Sequence, residues 1–439
     1  MGFRSLLRGW LSRPLVKDVF STTALALAGR ATGFLIPFFI AIWFGAGRDT
    51  DVFFFVYGLI LLMATVFGDT VGEVLIPFLA ELKARGEKVS VYVGRLMVLG
   101  GLLVTVVVVL LCLAAKVFIP LVVRFSPSQM GLLFRLLAEM APLVVLVSWV
   151  NVLMATLNAA KMFSLPAVSL SIRSVITLLM IYLFKGSLGV YSIVLGYVVG
   201  EGARLAVMLL KVTTVEGFPI GRDSFSWDSS LFRFLGVAFF RSGAMILNQV
   251  NQTVDRAMAS WLVVGSVSVL HYAGRLTMVP ILILTSGTMI PFVSHWSERF
   301  AREGLARLKR DVKKAAVAMA VASSVVAVLL ILFSGPVVDL VLGHGAMKGS
   351  PLQLVRWAWV CYLLGLPFRL VSRVLLRVYI VLQRTRIVLF QAAVGAVLNV
   401  LFNWVLMQKL GVAGIALSTS AVALFSAFFW LWAFRVAGE

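Results

Sequence analysis

The sequence predicts an all-α polytopic membrane protein of about twelve transmembrane helices, in two six-helix lobes related by a parallel pseudo-two-fold repeat. Three observations predict it. Hydrophobic residues make up 61% of the 439-residue chain and charged residues 13%, too apolar a balance for a surface facing water. The apolar runs reach about twenty residues without the alternation of barrel strands, so they cross the hydrocarbon core as helices. One polar stretch, residues 212–229, divides those runs into two sets of six.

Taken in order, the runs place spans at 19–45, 51–80, 90–123, 131–158, 162–184 and 187–211 in the first set. The second set follows at 230–262, 266–294, 313–342, 354–382, 387–408 and 411–434. The first run continues past residue 40 with no small-residue cleavage site after a short core, so it reads as a retained helix.

Arg4, Arg8, Arg13 and Lys17 precede the first span, Lys83, Arg85 and Lys88 follow the second, and Arg299, Arg302, Arg307, Lys309, Arg310, Lys313 and Lys314 follow the eighth. Short loops rich in Lys and Arg face the cytoplasm. With twelve spans, Lys161, Arg222, Arg384, Arg386 and Arg435 fall on that same side, and both termini are cytoplasmic. The opposite loops hold only scattered charges, such as Arg48, Arg124, Lys185, Lys348 and Lys409. The expected organisation is a basic N-terminus at 1–18, a first lobe at 19–211, a cytoplasmic linker at 212–229 and a second lobe at 230–435. The net charge of +21 is therefore a topology signal and an attraction to anionic membrane lipids, with no nucleic-acid partner implied.

The two sets repeat. Ile76-Pro77-Phe78 recurs as Ile290-Pro291-Phe292 at the basic end of the second helix of each set. Leu188-Gly189-Val190 recurs as Ala413-Gly414-Ile415 at the start of each sixth helix. Copies in the same orientation make a parallel repeat, and substrate sites in such folds lie between the halves.

Charges at bilayer depth are costly and face a bundle interior or a wet cavity. The basic set comprises Arg30, Arg173, Arg241, Arg275, Arg369, Arg373 and Arg377. The last three stand at i, i+4 and i+8, on one helix face. A basic stripe suits a phosphate-bearing substrate, because guanidinium forks match phosphate oxygens; snorkelling to the head groups is the plainer account of Arg373 and Arg377. The seventh span carries Asn248, Gln249, Asn251, Gln252, Asp255 and Arg256, which line a cavity or hydrogen-bond to neighbouring helices. Asp69, Glu73, Glu139 and Glu201 are the deep acids. They suit a coupling ion or proton relay, or, more plainly, ion pairs of Glu201 with Arg204 or Arg173 and of Asp69 with Arg30.

Enzyme chemistry finds no support. His271, His295 and His344 have no metal-ligand spacing, and nucleophile elbow, Walker loop and zincin patterns are absent from the sequence. Cys112 and Cys361 sit inside apolar spans and imply neither disulfide nor metal. Asp49 and Asp51 stand where a membrane glycosyltransferase would keep acids, but every external loop is short. No cofactor is implied, and energy for transport comes from an ion gradient, the membrane potential or a partner.

Further residues carry a family likeness: Arg30-Ala31-Thr32-Gly33-Phe34, Phe44-Gly45-Ala46-Gly47, Thr50-Asp51-Val52-Phe53-Phe54 and Pro77-Phe78-Leu79-Ala80-Glu81, then Tyr272-Ala273-Gly274-Arg275-Leu276 with Pro280, Gly287-Thr288-Met289-Ile290-Pro291 and Ser334-Gly335-Pro336. In order and spacing the chain resembles the MurJ (MviN) lipid II flippase family, within the multidrug/oligosaccharidyl-lipid/polysaccharide exporter superfamily. The resemblance implies two lobes around a cationic cavity that moves a polyprenyl-pyrophosphate-linked saccharide, the peptidoglycan precursor lipid II, by alternating access. It implies cavity roles for Arg30 and Arg275 and a second-helix role for Asp51. With the residues singled out by depth, the expected substrate-binding set is Arg30, Asp51, Arg275, Arg241, Arg173, Asn248, Gln252, Asp255, Arg369 and Arg373. The expected partners are the lipid-linked saccharide, membrane lipids and a coupling ion, Na+ or H+, with the monomer as the working unit.

The chain departs from the family pattern. Ile36-Pro37 stands where members carry an Arg-Asp pair, Gly274 replaces an acid before Arg275, and an arginine usual near Ala64-Thr65 is missing. Members commonly carry two helices after the twelfth, and this sequence ends at Glu439. Two alternatives therefore stand beside lipid II: an exopolysaccharide or O-antigen repeat-unit flippase, and a cation-coupled multidrug antiporter of the same fold. An excess of arginines opposes a cationic drug.

Overall fold

The computed structural model describes residues 32–226, 233–234, 236, 249–285, 289–382 and 385–436, and every regular element among them is helical. Nine helices among these residues are long and apolar enough to cross a bilayer. A bent pair, broken by 42°, adds a further span, and the apolar helix Thr32–Phe44 is shorter. The chain is an all-α multi-pass membrane protein, as its apolar runs predict. It divides into two compact units. The first takes in Val56–Leu121 and the described parts of Met1–Ile40 and Met130–Ile246, and the second Ala41–Phe55, Val122–Gln129 and the described parts of Leu247–Glu439.

The helices are α1 (Thr32–Phe44), α2 (Arg48–Ala64), α3 (Thr70–Ala84), α4 (Val89–Arg95), α5 (Gly101–Val122), α6 (Pro127–Met140), α7 (Pro142–Ala159), α8 (Ser164–Leu188) and α9 (Tyr191–Glu216). Single π turns, Thr65–Asp69 and Leu96–Gly100, join α2 to α3 and α4 to α5. A π turn frees carbonyls from the helical ladder, and the Trp149 indole N–H donates to the Met97 carbonyl at 2.8 Å. Gly101 admits that indole, since a Cβ there would stand 2.5 Å from Trp149 Nε1. Leu102, Val106, Val109 and Leu113 of α5 are exposed on one helical stripe, a face that only lipid can cover without cost.

α8 and α9 pack through Gly196 and Gly200, four residues apart. A Cβ on Gly200 would lie 2.5 Å from Thr177 Oγ1, and one on Gly196 would lie 2.7 Å from the Thr177 carbonyl. Thr177 Oγ1 donates to the Gly196 carbonyl at 3.0 Å. This is small-residue packing of the kind that brings helix backbones together inside a bilayer.

The polar stretch after α9 is more ordered than its composition suggests. α9 runs to Glu216, and Arg222–Phe225 forms a 3-10 turn with Ser224 buried. The Gly221 N–H donates to Ser224 Oγ at 3.0 Å and Ser224 Oγ to the Pro219 carbonyl at 3.0 Å, closing the turn. It lies so close to α4 that a Cβ on Gly94 would fall 1.8 Å from the Pro219 carbonyl.

In the second unit residues 249–259 are helical and form α10. They precede α11 (Ser266–Thr285), α12 (Met289–Leu332), α13 (Ser334–Leu342), α14 (Ser350–Leu364), α15 (Leu366–Val381), α16 (Thr385–Leu410) and α17 (Val412–Val436). α12 is two helices meeting at Gly304, whose φ of 74° breaks the helical run. Trp261 anchors the 122–129 segment: its indole N–H donates to the Val122 carbonyl at 2.7 Å, and the Arg124 guanidinium sits 4.9 Å from its ring centroid. α14 and α15 bend at Gly365, which is pressed against α17 with no room for a Cβ, Ser420 Oγ being 2.4 Å away.

Candidate functional site

Three polar clusters stand out among the described residues. The first joins the start of α2 to the start of α11. α2 begins at Arg48, so Asp51 lies within its first turn and is 3% exposed. One Asp51 oxygen accepts the Gly265 N–H at 2.6 Å; the other accepts the Ser268 N–H at 2.8 Å and the Ser268 hydroxyl at 2.7 Å. Ser268 Oγ also stands 2.9 Å from Thr50 Oγ1. The carboxylate thus caps α11 from another helix, satisfying amides that the helix leaves open and meeting the positive end of its dipole. Close backbone approach makes this possible. Gly265, at φ 95°, would put a Cβ 3.0 Å from the Ala46 carbonyl, and Gly45, at φ 69°, one 2.9 Å from the Ala346 carbonyl. The Tyr272 hydroxyl donates to the Gly45 carbonyl at 2.9 Å. His271 stacks on Phe54 with ring centroids 4.1 Å apart, and Arg275 Nε lies 3.5 Å from His271 Nε2. Ser268, Tyr272 and Arg275 follow at one-turn spacing, so the cap fixes the helix that carries Arg275 two turns deeper, about 10 Å away.

The second cluster links α10, α16 and α17. Asp255 is 8% exposed and accepts the Asn403 side-chain N–H at 2.7 Å. Asn403 Nδ2 also stands 3.4 Å from Asn399 Oδ1, and Ser418 Oγ donates to Asn403 Oδ1. Ser418 Oγ is 3.0 Å from the Ile415 carbonyl. These contacts make a buried hydrogen-bonded chain from Asp255 through Asn403 to Ser418, with the carboxylate as its one acidic member. Arg256 is buried beside Asp255. Arg369 on α15 sits 5.9 Å from the Tyr362 ring centroid, and its buried Nη2 has no hydrogen-bond partner among the described residues.

The third cluster belongs to the first unit. Glu201, 1% exposed, bridges Arg173 Nη1 at 3.4 Å and Arg204 Nη1 at 3.0 Å. Arg204 Nε donates to Ser169 Oγ at 3.1 Å. The expected pairing of Glu201 is present with both arginines, and two guanidinium groups share one carboxylate.

The remaining expected residues divide. Arg30, Arg241 and Asn248 lie outside the described residues, as do the side chains of Asp69 and Glu73. Gln252 is exposed and donates to Gln249 Oε1 at 3.0 Å. Arg369, Arg373 and Arg377 share α15, with Arg373 exposed and its neighbours half-buried. No His/Cys/Asp/Glu group fit for a metal occurs among the described residues. Sequence reasoning missed Gly265 and Ser268, whose amides take up Asp51, and Asn399, Asn403 and Ser418. The legible signal was Asn399 and Asn403 at i, i+4 in an otherwise apolar run.

The chain matches the family described as Lipid II flippase MurJ over residues 40–438. A probable lipid II flippase MurJ of Buchnera aphidicola subsp. Acyrthosiphon pisum is 24% identical over 424 residues, covering 92% of this chain and 81% of the relative. A solved lipid II flippase MurJ in an inward closed conformation superposes with a TM-score of 0.80 at 20% identity, covering 94% of this chain and 87% of that one. An inward-facing multidrug resistance MATE family transporter of the MOP superfamily gives 0.73 at 16% identity, covering 94% and 98%. The likeness to both solved structures shows a shared fold, and the family match over most of the chain shows that it belongs to the lipid II flippase MurJ family.

Proposed function

We propose that this chain translocates lipid II, the polyprenyl-pyrophosphate-linked peptidoglycan precursor, across the bacterial inner membrane by alternating access. The observation that carries this reading is that guanidinium groups outnumber carboxylates in the described clusters. Arg173 and Arg204 share Glu201. In the second unit Arg256, Arg275 and Arg369 stand with Asp255 and with Asp51, whose two oxygens α11 takes up. Unbalanced positive charge away from water favours a diphosphate and disfavours a cationic drug.

In this mechanism Arg369, Arg373, Arg173 and Arg241, singled out by their depth, and Arg275 and Arg30, by family likeness as well, replace water around the diphosphate as it crosses. Asn248 and Gln252 contribute polar contacts. Asp51 is a positioning residue, holding the helix that carries Arg275. The Asp255 cluster takes the coupling ion, Na+ or H+, and neutralising Asp255 loosens its hold on Asn403, which links ion occupancy to the packing of α10 against α16. Both termini face the cytoplasm, where the basic loops lie, and the protein works as a monomer.

Reconstitution tests the reading. Liposomes containing the purified chain and labelled lipid II should expose the label to an impermeant reagent far faster than empty liposomes, and Arg275→Ala should return the rate towards the empty control. Equal rates with and without the protein would reject lipid II as the cargo.

A further inference from the structure

A cavity of about 1010 Å3 opens between α12, α15 and α17 of the second unit. Its shape follows from the sequence. Ala316, Ala320, Ser324 and Ala327 stand along one face of α12 and keep that wall low. Opposite them, α15 begins just past the bend at Gly365, and Pro367 and Phe368 line the groove there. Phe428 of α17 forms a third wall and is 63% exposed. The trough runs beside helix faces that only a bilayer can cover, so hydrocarbon fills it.

One end is chemically different. Lys309, Arg310, Lys313 and Arg435 line the mouth, and no carboxylate does so among the described residues. Lys309 Nζ donates to the Arg435 carbonyl at 3.3 Å, tying the stretch of α12 just past Gly304 to the end of α17 across the mouth. Arg310, Lys313 and Arg435 are exposed. An apolar trough with a cationic mouth at the membrane surface complements an amphiphile with an anionic head, and basic pockets between helices on that side hold anionic lipid head groups.

We propose that this groove is a binding site for an anionic diacyl phospholipid of the surrounding bilayer, its chains along α12 and its phosphate at Lys309, Arg310, Lys313 and Arg435. A volume at the upper end of ligand pockets, roughly 300–1,000 Å3, suits a two-chain lipid better than a single thin chain. Bulk phospholipid also greatly outnumbers any polyprenyl carrier in the membrane, and occupancy follows mass action. The site is separate from the arginines assigned to the cargo, and the inference stands whatever that cargo is.

Native mass spectrometry of the full chain in detergent tests it, with phosphatidylglycerol and phosphatidylcholine of identical acyl chains titrated in parallel and undecaprenyl phosphate as a third ligand. Wild type should retain phosphatidylglycerol at least about twenty-five-fold more tightly than phosphatidylcholine, since each basic residue near the surface is worth about fivefold and Arg310 and Lys313 supply two of them. The exposed pair Arg310→Gln and Lys313→Gln should erase most of that preference, and Ala320→Phe, by filling the trough, should weaken both phospholipids together. Equal binding of the two phospholipids to wild type would overturn the proposal. So would an unchanged preference in the double variant, or tighter binding of undecaprenyl phosphate than of phosphatidylglycerol.

Discussion

Asp51 accepts both the backbone N–H and the hydroxyl of Ser268, at 2.8 and 2.7 Å, across 217 residues of sequence. An aspartate read from sequence as a substrate contact is, in the structure, a helix cap contributed from another helix. Asp51→Asn keeps the size but turns one acceptor oxygen into a donor facing an amide. The expected cost is about 1–3 kcal/mol, because buried N–H groups lose their acceptor, with Ser268→Ala costing less. Thermal unfolding in detergent measures both. The double variant should be milder than the sum of the singles, as befits one shared contact.

Glu201 holds two arginines in a 1% exposed site. Removing its charge breaks both ion pairs, and breaking a buried pair in this way typically costs about 3–5 kcal/mol. Glu201→Gln should therefore lower the yield of folded protein sharply, while Glu201→Asp should keep part of it. Fluorescence-detected size-exclusion chromatography resolves the two.

Gly200 admits Thr177 Oγ1 and the Arg173 carbonyl within 2.7 Å of where a Cβ would stand. Backbone cannot yield as a flexible side chain does. Gly200→Val should separate α8 from α9 and abolish a monodisperse preparation, whereas Gly202→Val, with open space around its Cβ, should be tolerated. Parallel purification of both variants decides it.

The Asp255 cluster should respond to the coupling ion. If the ion is Na+, wild type gains thermal stability in NaCl over KCl, up to about 2.7 kcal/mol at a hundredfold excess over its dissociation constant, and Asp255→Asn loses the difference. If it is H+, lipid II movement in proteoliposomes responds to an imposed pH gradient, and Asp255→Asn removes that response. A variant that keeps the wild-type ion dependence contradicts the assignment.

How much of this was legible beforehand divides by physical cause. The spans were readable because hydrocarbon imposes a length and a composition on every helix, and α8, α9 and α16 fall within a few residues of their predicted bounds. The Glu201 pairing was readable because a lone carboxylate at depth demands a partner and the candidate arginines were few. The capping role of Asp51 was not, since backbone amides of distant residues leave no mark in a sequence. The docking of 217–226 on α4 escaped for a related reason: composition reports polarity, while the contact rests on Gly94 having no side chain. The Asp255 cluster was half legible, with the acid found and its partners Asn403 and Ser418 overlooked in apolar runs.

The most direct test of the central claim is complementation of cells depleted of their own lipid II flippase, comparing wild type with Arg30→Ala and Arg275→Ala at matched membrane levels. The account predicts growth and normal shape with wild type and lysis with either variant. Lysis with well-expressed wild type would contradict lipid II as the cargo, and rescue by both variants would contradict the arginine-based mechanism.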